Sequence, residues 1–270
     1  KTIASISKGD SLINSPLISN TYFVGESEHS LPIVNLCVDS LFLFDETTGI
    51  CMPGPDANPD FPFSGANFWG DEKVNGWFQY FDKDFHLLEE LPVELSIHGG
   101  SGSRVRPMKS FQIRAKSGKF ESRFFDEKPN QNQERILLRN AGNDYCNTCM
   151  LDGNLQDYLI KCQLDVDLQA FSPSIVYING NYFGIQNIRE KVDRHYLGSN
   201  YGVDPRNVNI LEGSALNVVE GSAEGFEEIV AYVSANDLSE NSHYSWIQDR
   251  IDISSLVDYF IIELYANNRD

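Results

Sequence analysis

The sequence predicts an α+β domain, with one mainly antiparallel sheet and helices packed against it. Three observations predict this. Apolar and polar residues alternate in short runs around Val93, Phe111, Leu137, Val176 and Ile185, the period of half-buried strands. Apolar residues recur at helical spacing over Leu151 to Cys162, Phe226 to Val233 and Ile253 to Leu264, without the regular strand-helix alternation that a parallel sheet requires. Asn179-Gly180 lies between the apolar runs Ile175 to Ile178 and Tyr182 to Ile188, and a tight hairpin turn needs positive φ at such a centre.

Residues 1–30 are rich in Ser and Asn, are punctuated by Gly9 and Pro16, and offer only I-S-N-T-Y-F-V as a strand. They read as an N-terminal arm or the end of a preceding β-domain, and residues 31–270 as the main domain. L-P-I-V-N-L-C-V from Leu31 is an apolar strand, and D-E-T-T-G-I is a turn. Cys51 to Phe85 reads as an ordered loop packed by its own aromatic rings, or as one that offers Trp69 and Trp77 to a carbohydrate. Leu91, Val93, Leu95 and Ile97 form one side of a strand that delivers the chain into the glycine-rich turn His98 to Ser103. In the next strand Phe111, Ile113 and Ala115 alternate with Ser110, Gln112 and Arg114, which puts Lys109 on the apolar side.

After the polar connector Asp126 to Glu134, Ile136 to Leu138 gives a short buried strand ending in Arg139-Asn140. Leu151, Leu155, Tyr158, Leu159 and Cys162 share a helix face that should cover the sheet. On the second hairpin arm Tyr182, Gln186, Ile188 and Glu190 fall on one side by period two. Gly202 to Pro205 is a turn and Val208 to Leu211 a short strand. Glu212 to Glu240 holds seven acidic residues and no basic one, the pattern of a solvated helix face. Asp252 is the expected N-cap of a last, buried helix, with Arg269 and Asp270 just beyond it.

With 270 residues, 41% of them hydrophobic, the chain can bury a substantial core. A formal charge of -18 argues against a general nucleic-acid or anionic-membrane surface, and no apolar run is long enough to span a bilayer. Against that charge, the interval from Ser101 to Phe120 carries six basic residues and no acidic one. This island is either a site for an anion, most simply a phosphate, or a solvated strand edge. Cys146 and Cys149 are the only close pair among five cysteines, and the second pair that a structural zinc site wants is missing. No G-x-S-x-G marks a hydrolase nucleophile. The glycine turn is not a phosphate-binding P-loop, because Met108 stands where the glycine before Lys109-Ser110 is required. Its strand-turn-strand context also excludes a dinucleotide fingerprint.

A kinase-like arrangement fits better. Phosphoryl transfer needs a lysine for the nucleotide phosphates, a carboxylate to hold it, an aspartate beside the acceptor hydroxyl and oxygen ligands for magnesium. Lys109, Glu190, Asp270 and Asn268 are the candidates. Lys109 and Glu190 are expected to pair across a cleft whose mouth is the His98 to Ser103 turn, since each would otherwise be a buried, unsatisfied ion.

H-G-G-x-x-x-R from His98 followed by P-x-K-S-F from Pro107 resembles the kinase-like family named for the spore-coat protein CotH. L-L-R-N-A-G-N-D from Leu137, I-N-G-N-Y-F-G-I-Q-N-I-R-E from Ile178 and the terminal N-N-R-D agree in order. The resemblance implies a divergent protein-kinase-like fold and transfer of phosphate from ATP, with Mg2+, to side-chain hydroxyls of a protein substrate. It implies cofactor-binding roles for Gly99, Gly100, Arg104, Lys109 and Glu190, catalytic roles for Asp270, Lys109 and Glu190, and metal ligation by Asn268 and Asp270. It also implies an extracytoplasmic, secreted or cell-surface location. Many relatives have Tyr where this chain has Gln186, and relatives continue into a second aspartate motif, W-D-x-D, that would bind magnesium. The expectation is therefore a kinase-like domain truncated at its C-terminal end and silent as this piece. The alternative, from another class, is a non-catalytic extracellular scaffold that binds proteins or glycans.

Overall fold

The structure, a computed structural model, describes residues 2–5, 18–26, 29–116, 118–126, 128, 133–213 and 217–268. Its elements are β1 (Thr2–Ser5), β2 (Ile18–Thr21), β3 (Ile33–Val38), α1 (Ser40–Phe44), β4 (Val74–Phe81), β5 (Leu87–Ile97), α2 (Ser101–Arg104), β6 (Phe111–Ala115), β7 (Arg135–Arg139), α3 (Leu151–Lys161), β8 (Phe171–Ile178) and β9 (Asn181–Glu190). There follow α4 (Arg194–Tyr201), β10 (Ile210–Glu212), β11 (Asn217–Glu220), α5 (Glu224–Ala235), α6 (Asn241–Gln248) and α7 (Ile253–Ala266). The chain forms two compact units, residues 1–155 with 170–191, and residues 156–169 with 192–270.

The first unit overturns the expected fold class. Seven strands close on themselves in the order β3-β4-β5-β6-β7-β9-β8, and β8 meets β3 in parallel while the other pairs are antiparallel. This closed mixed barrel is not the kinase-like α+β plan built on one antiparallel sheet. Closure removes both sheet edges, which would otherwise expose unpaired backbone groups. It depends on Ile33 to Leu36 meeting Ile175 to Ile178, segments far apart in the chain, and strand periodicity carries no record of that partner. Val34, Leu36, Phe78, Leu95, Ile113 and Ile136 are among the residues that fill the core.

Local signals fared better than the global plan. The hairpin between β8 and β9 turns at Asn179 and Gly180, with φ of 53° and 75°. Asn179 also ties the turn to β3, accepting from Val38 N at 2.9 Å and donating to Val38 O at 2.8 Å. The expected loop from Cys51 to Phe85 is a loop only in its first part, because Val74–Phe81 is β4 and runs through the barrel wall. Gly76 and the aromatic run Trp77, Phe78, Tyr80, Phe81 hide its alternation, since Phe78 to Phe81 are all buried. The remaining loop does pack on its own rings, with Phe68 in contact with both Phe63 and Trp69.

In the second unit Asp193 caps α4 by accepting from His195 N and Tyr196 N, and Asp167 accepts the hydroxyls of Tyr196 and Tyr201 at 2.5 and 2.6 Å. Tyr232 of α5 stacks on Trp246 of α6 with centroids 3.7 Å apart. Asp252 caps α7 as expected, accepting from Ser255 N at 3.1 Å. The expectation that α7 is buried fails: only Ile262 is, while Phe260 and Leu264 are 56% and 81% exposed. Helical periodicity reports which residues share a face, not whether that face has a partner. No helix among the described residues is long and apolar enough to cross a membrane.

Candidate functional site

The glycine turn is built on backbone geometry that only glycine adopts easily. Gly99 has φ of 103°, and a Cβ there would stand 2.6 Å from Ser103 Cβ. The chain then forms the single turn α2 from Gly100 and re-enters the barrel at β6, with His98 N donating to Ser110 O at 2.9 Å. Asn140, only 1% exposed, holds this turn from the end of β7. Its Oδ1 accepts from Ser103 Oγ at 3.1 Å and Gly142 N at 3.1 Å, and its Nδ2 donates to Ser103 O at 3.1 Å and Met108 O at 2.5 Å. Asn140 was legible as part of a motif but its task was not.

Two of the predicted phosphate ligands are occupied by the fold itself. Arg104 donates through Nε to Gly99 O at 2.6 Å and through Nη1 to Phe68 O at 2.7 Å, and its guanidinium lies 5.7 Å from the Trp69 ring centre. It thereby locks the aromatic loop to the glycine turn. Lys109, 4% exposed, donates to Arg104 O at 2.6 Å and sits 3.9 Å from the Phe68 ring centre. It neutralises the carbonyl end of α2 and gains a cation–π contact. Burial pulls its pKa down to about 8, with Cys51 acting in the opposite sense, while burial pushes the Cys51 thiol up to about 12.

This burial makes Lys109 a source of pH-dependent stability. Its folded pKa lies below the ordinary 10.5, so the unfolded chain holds more protons between about pH 8 and 10.5. Stability should therefore rise with pH across that window relative to Lys109→Met, by about 1 kcal/mol after allowance for solvent screening. Urea denaturation of both proteins at pH 7.5 and 9.5 measures it, and a pH-independent difference would mean that the ammonium reaches water.

The expected pairing of Lys109 with Glu190 does not form. Glu190 lies on the inner side of β9, as period two implied, but it is paired with Ile136 at the far end of that strand. Lys109 is at the level of Gln186, whose Nε2 donates to Lys109 O at 2.7 Å. Four residues of strand separate the two levels, roughly 13 Å. Glu190 instead accepts from Ala170 N at 2.9 Å and pairs with Lys128 at 3.3 Å. Nothing in the polar connector's sequence marked Lys128 as the counter-charge. Period two fixes the face of a side chain, whereas register fixes its height.

Arg139 and Arg189 project from the outer face of β7 and β9 and share Asp152 of α3, at 3.7 and 2.7 Å. Strand alternation sends them there, because Leu138 and Ile188 face the core. Among the described residues no group of three or more His, Cys, Asp or Glu is arranged to hold a metal ion. Asn268 closes α7 by donating its backbone N–H to Glu263 O at 3.1 Å, and Asp270, assigned catalytic and metal roles from sequence, lies outside the described residues. Trp69 donates its indole N–H to Pro62 O at 2.9 Å and is half-buried, and Trp77 is built into β4 opposite Pro92. Cys146 and Cys149 are both free thiols, Cys146 within 3.4 Å of Arg106 Nη1.

The structure defines a closed mixed β-barrel unit with a glycine turn held at the end of β5 by Asn140, Arg104 and Lys109. Comparison with known proteins places it further: the family model described as CotH kinase protein matches residues 95–270, and the chain belongs to the CotH family. The match covers the glycine turn, both arginine-bearing strands and the second unit. No curated protein matches the chain.

Proposed function

We propose that this CotH-family chain is an atypical protein kinase domain that transfers phosphate from ATP to side-chain hydroxyls of a protein substrate with Mg2+. The observation that carries the reading is the concentration of positive charge at the glycine turn and the adjoining strand wall in a chain of net charge -18, within the segment matched by the CotH kinase family. Binding of the nucleotide phosphates is the task this face suits. Mg2+ would neutralise charge between the phosphates when bound, and Asn268 and Asp270 offer oxygen ligands of the type it prefers. Asp270 is assigned to accept the hydroxyl proton of the acceptor. Gly99 and Gly100 shape the turn, Arg104 and Lys109 hold it closed, and Glu190 supports the barrel. An extracytoplasmic location belongs to the same proposal.

The test is incorporation of radiolabelled phosphate from ATP by the full-length protein, with Asp270→Asn as the catalytic variant. A fall of a hundredfold or more in Asp270→Asn supports the assignment. Undiminished transfer would sink it. One observation favours the second reading, a non-catalytic scaffold for proteins or glycans: Arg104, Lys109 and Glu190 are all engaged by the fold. That reading predicts no binding of Mg2+-ATP by calorimetry.

A further inference from the structure

We propose that Cys146 and Cys149 are a redox-active dithiol, which closes to a disulfide by exchange with a small-molecule disulfide and in closing releases a tie between the glycine turn and the loop after β7. The site is independent of the phosphotransferase reading.

The pair sits on a loop that folds back on itself around Asp144. The Asp144 backbone O accepts from Asn147 N at 2.9 Å and Cys149 N at 3.2 Å. Its carboxylate accepts from Thr148 N at 3.2 Å, from Thr148 Oγ1 at 2.6 Å and from the N–H of Leu151, the first residue of α3, at 3.0 Å. Residues 144–149 therefore form a closed turn that contains Cys146. Cys149 has φ of 60°, a left-handed conformation uncommon for a residue other than glycine, and its thiol donates back to Tyr145 O at 3.0 Å. That oxygen belongs to the peptide group joining Tyr145 to Cys146. The Cys149 sulfur thus lies within roughly 6 Å of Cys146 Cα, a gap that rotation about the two Cα–Cβ bonds spans.

Exposure assigns the two roles. Cys37 and Cys51 are buried, whereas Cys146 is exposed and Cys149 half-buried, so a small disulfide reaches the first sulfur and the second stands behind it to resolve the adduct. With glutathione disulfide as the oxidant, the Cys146 thiol gives its proton to solvent and its thiolate attacks one glutathione sulfur. The old S–S bond breaks, and one glutathione leaves as thiolate. The Cys149 thiolate then attacks Cys146 Sγ and expels the second glutathione. Two protein thiols are oxidised to one disulfide, one glutathione disulfide is reduced to two thiols, and the two protons end on the leaving groups.

The reduced Cys146 sulfur also ties this loop to the glycine turn. Arg106 donates through Nη1 to that sulfur at 3.4 Å and through Nε to Gly102 O at 3.2 Å, and its guanidinium lies 5.4 Å from the Tyr145 ring centre. Gly102 backs onto the same loop, since a Cβ there would clash with Asn143 Oδ1. Disulfide formation turns the Cys146 sulfur toward Cys149 and removes the acceptor at one end of the Arg106 bridge.

The experiment equilibrates the full-length protein in glutathione buffers of graded oxidised-to-reduced ratio, traps free thiols by acid and alkylation, and maps disulfides by peptide mass spectrometry. A Cys146–Cys149 disulfide should form independently of protein concentration, and Cys162→Ser should leave its formation unchanged. Cys149→Ser should stop at a mixed disulfide of glutathione on Cys146. Amide exchange in residues 101–104 should accelerate at least about threefold when the wild type is oxidised. Arg106→Met should show that faster exchange already when reduced, with no further change on oxidation. If both thiols stay free in glutathione disulfide alone, or Cys146 pairs with another cysteine, the dithiol is overturned. If the Cys146–Cys149 disulfide forms while exchange in residues 101–104 is unchanged, the release of the glycine turn is overturned.

Discussion

Glu190→Ala should destabilise the barrel by about 3–5 kcal/mol, the cost typical of removing one member of a buried ion pair. Glu190 is fully buried, and its carboxylate holds both the Ala170 backbone and Lys128, which is itself only 15% exposed at the side chain. Truncation removes one acceptor from that ammonium and one from that N–H. Urea denaturation reads the loss, and a Lys128→Met partner variant makes a double-mutant cycle that isolates the pair. A change below about 1 kcal/mol would show that the pairing contributes little. The size of the effect also separates two roles: a carboxylate that only oriented a nucleotide-binding lysine would affect ATP affinity with little change in stability.

Asn140→Ala is expected to cost about 2–4 kcal/mol, because several buried groups lose hydrogen bonds at once. Ser103 O and Met108 O lose a donor, and Gly142 N and Ser103 Oγ lose an acceptor, at a site that is 1% exposed. Ser110 Oγ would still receive the backbone N–H of residue 140, so the end of β7 should stay in place while the glycine turn loosens. Amide hydrogen exchange should accelerate in residues 99–104 and remain slow in 111–115. Equal acceleration in both segments would mean that Asn140 supports the whole barrel rather than the turn.

Much of the local structure was legible. The Asn179-Gly180 hairpin, the Asp252 cap and the inner side of Phe111, Ile113 and Glu190 follow from turn chemistry, capping and period two, all of which act over a few residues. Lys109 was legible as a cation on the apolar side, but its partner was not. Its solution is an α2 carbonyl and the Phe68 ring, contributed by a loop whose packing no periodic pattern describes. β4 was lost inside an aromatic-rich stretch because a strand buried along most of its length has no alternation to read.

The sequence by itself determined the family, through short motifs in order from His98 to the terminal N-N-R-D, and the positive island in an acidic chain. It also determined which residues face inward on β5, on β6 and at Gln186, Ile188 and Glu190 of β9. Only the tertiary structure decided that the strands close into a barrel and that Glu190 belongs to Lys128 rather than Lys109. Those are matters of long-range pairing and register. The free energy of closing β3 on β8 comes from edges satisfied and core filled across some 140 residues of chain, and no local pattern can encode which distant edge will be met.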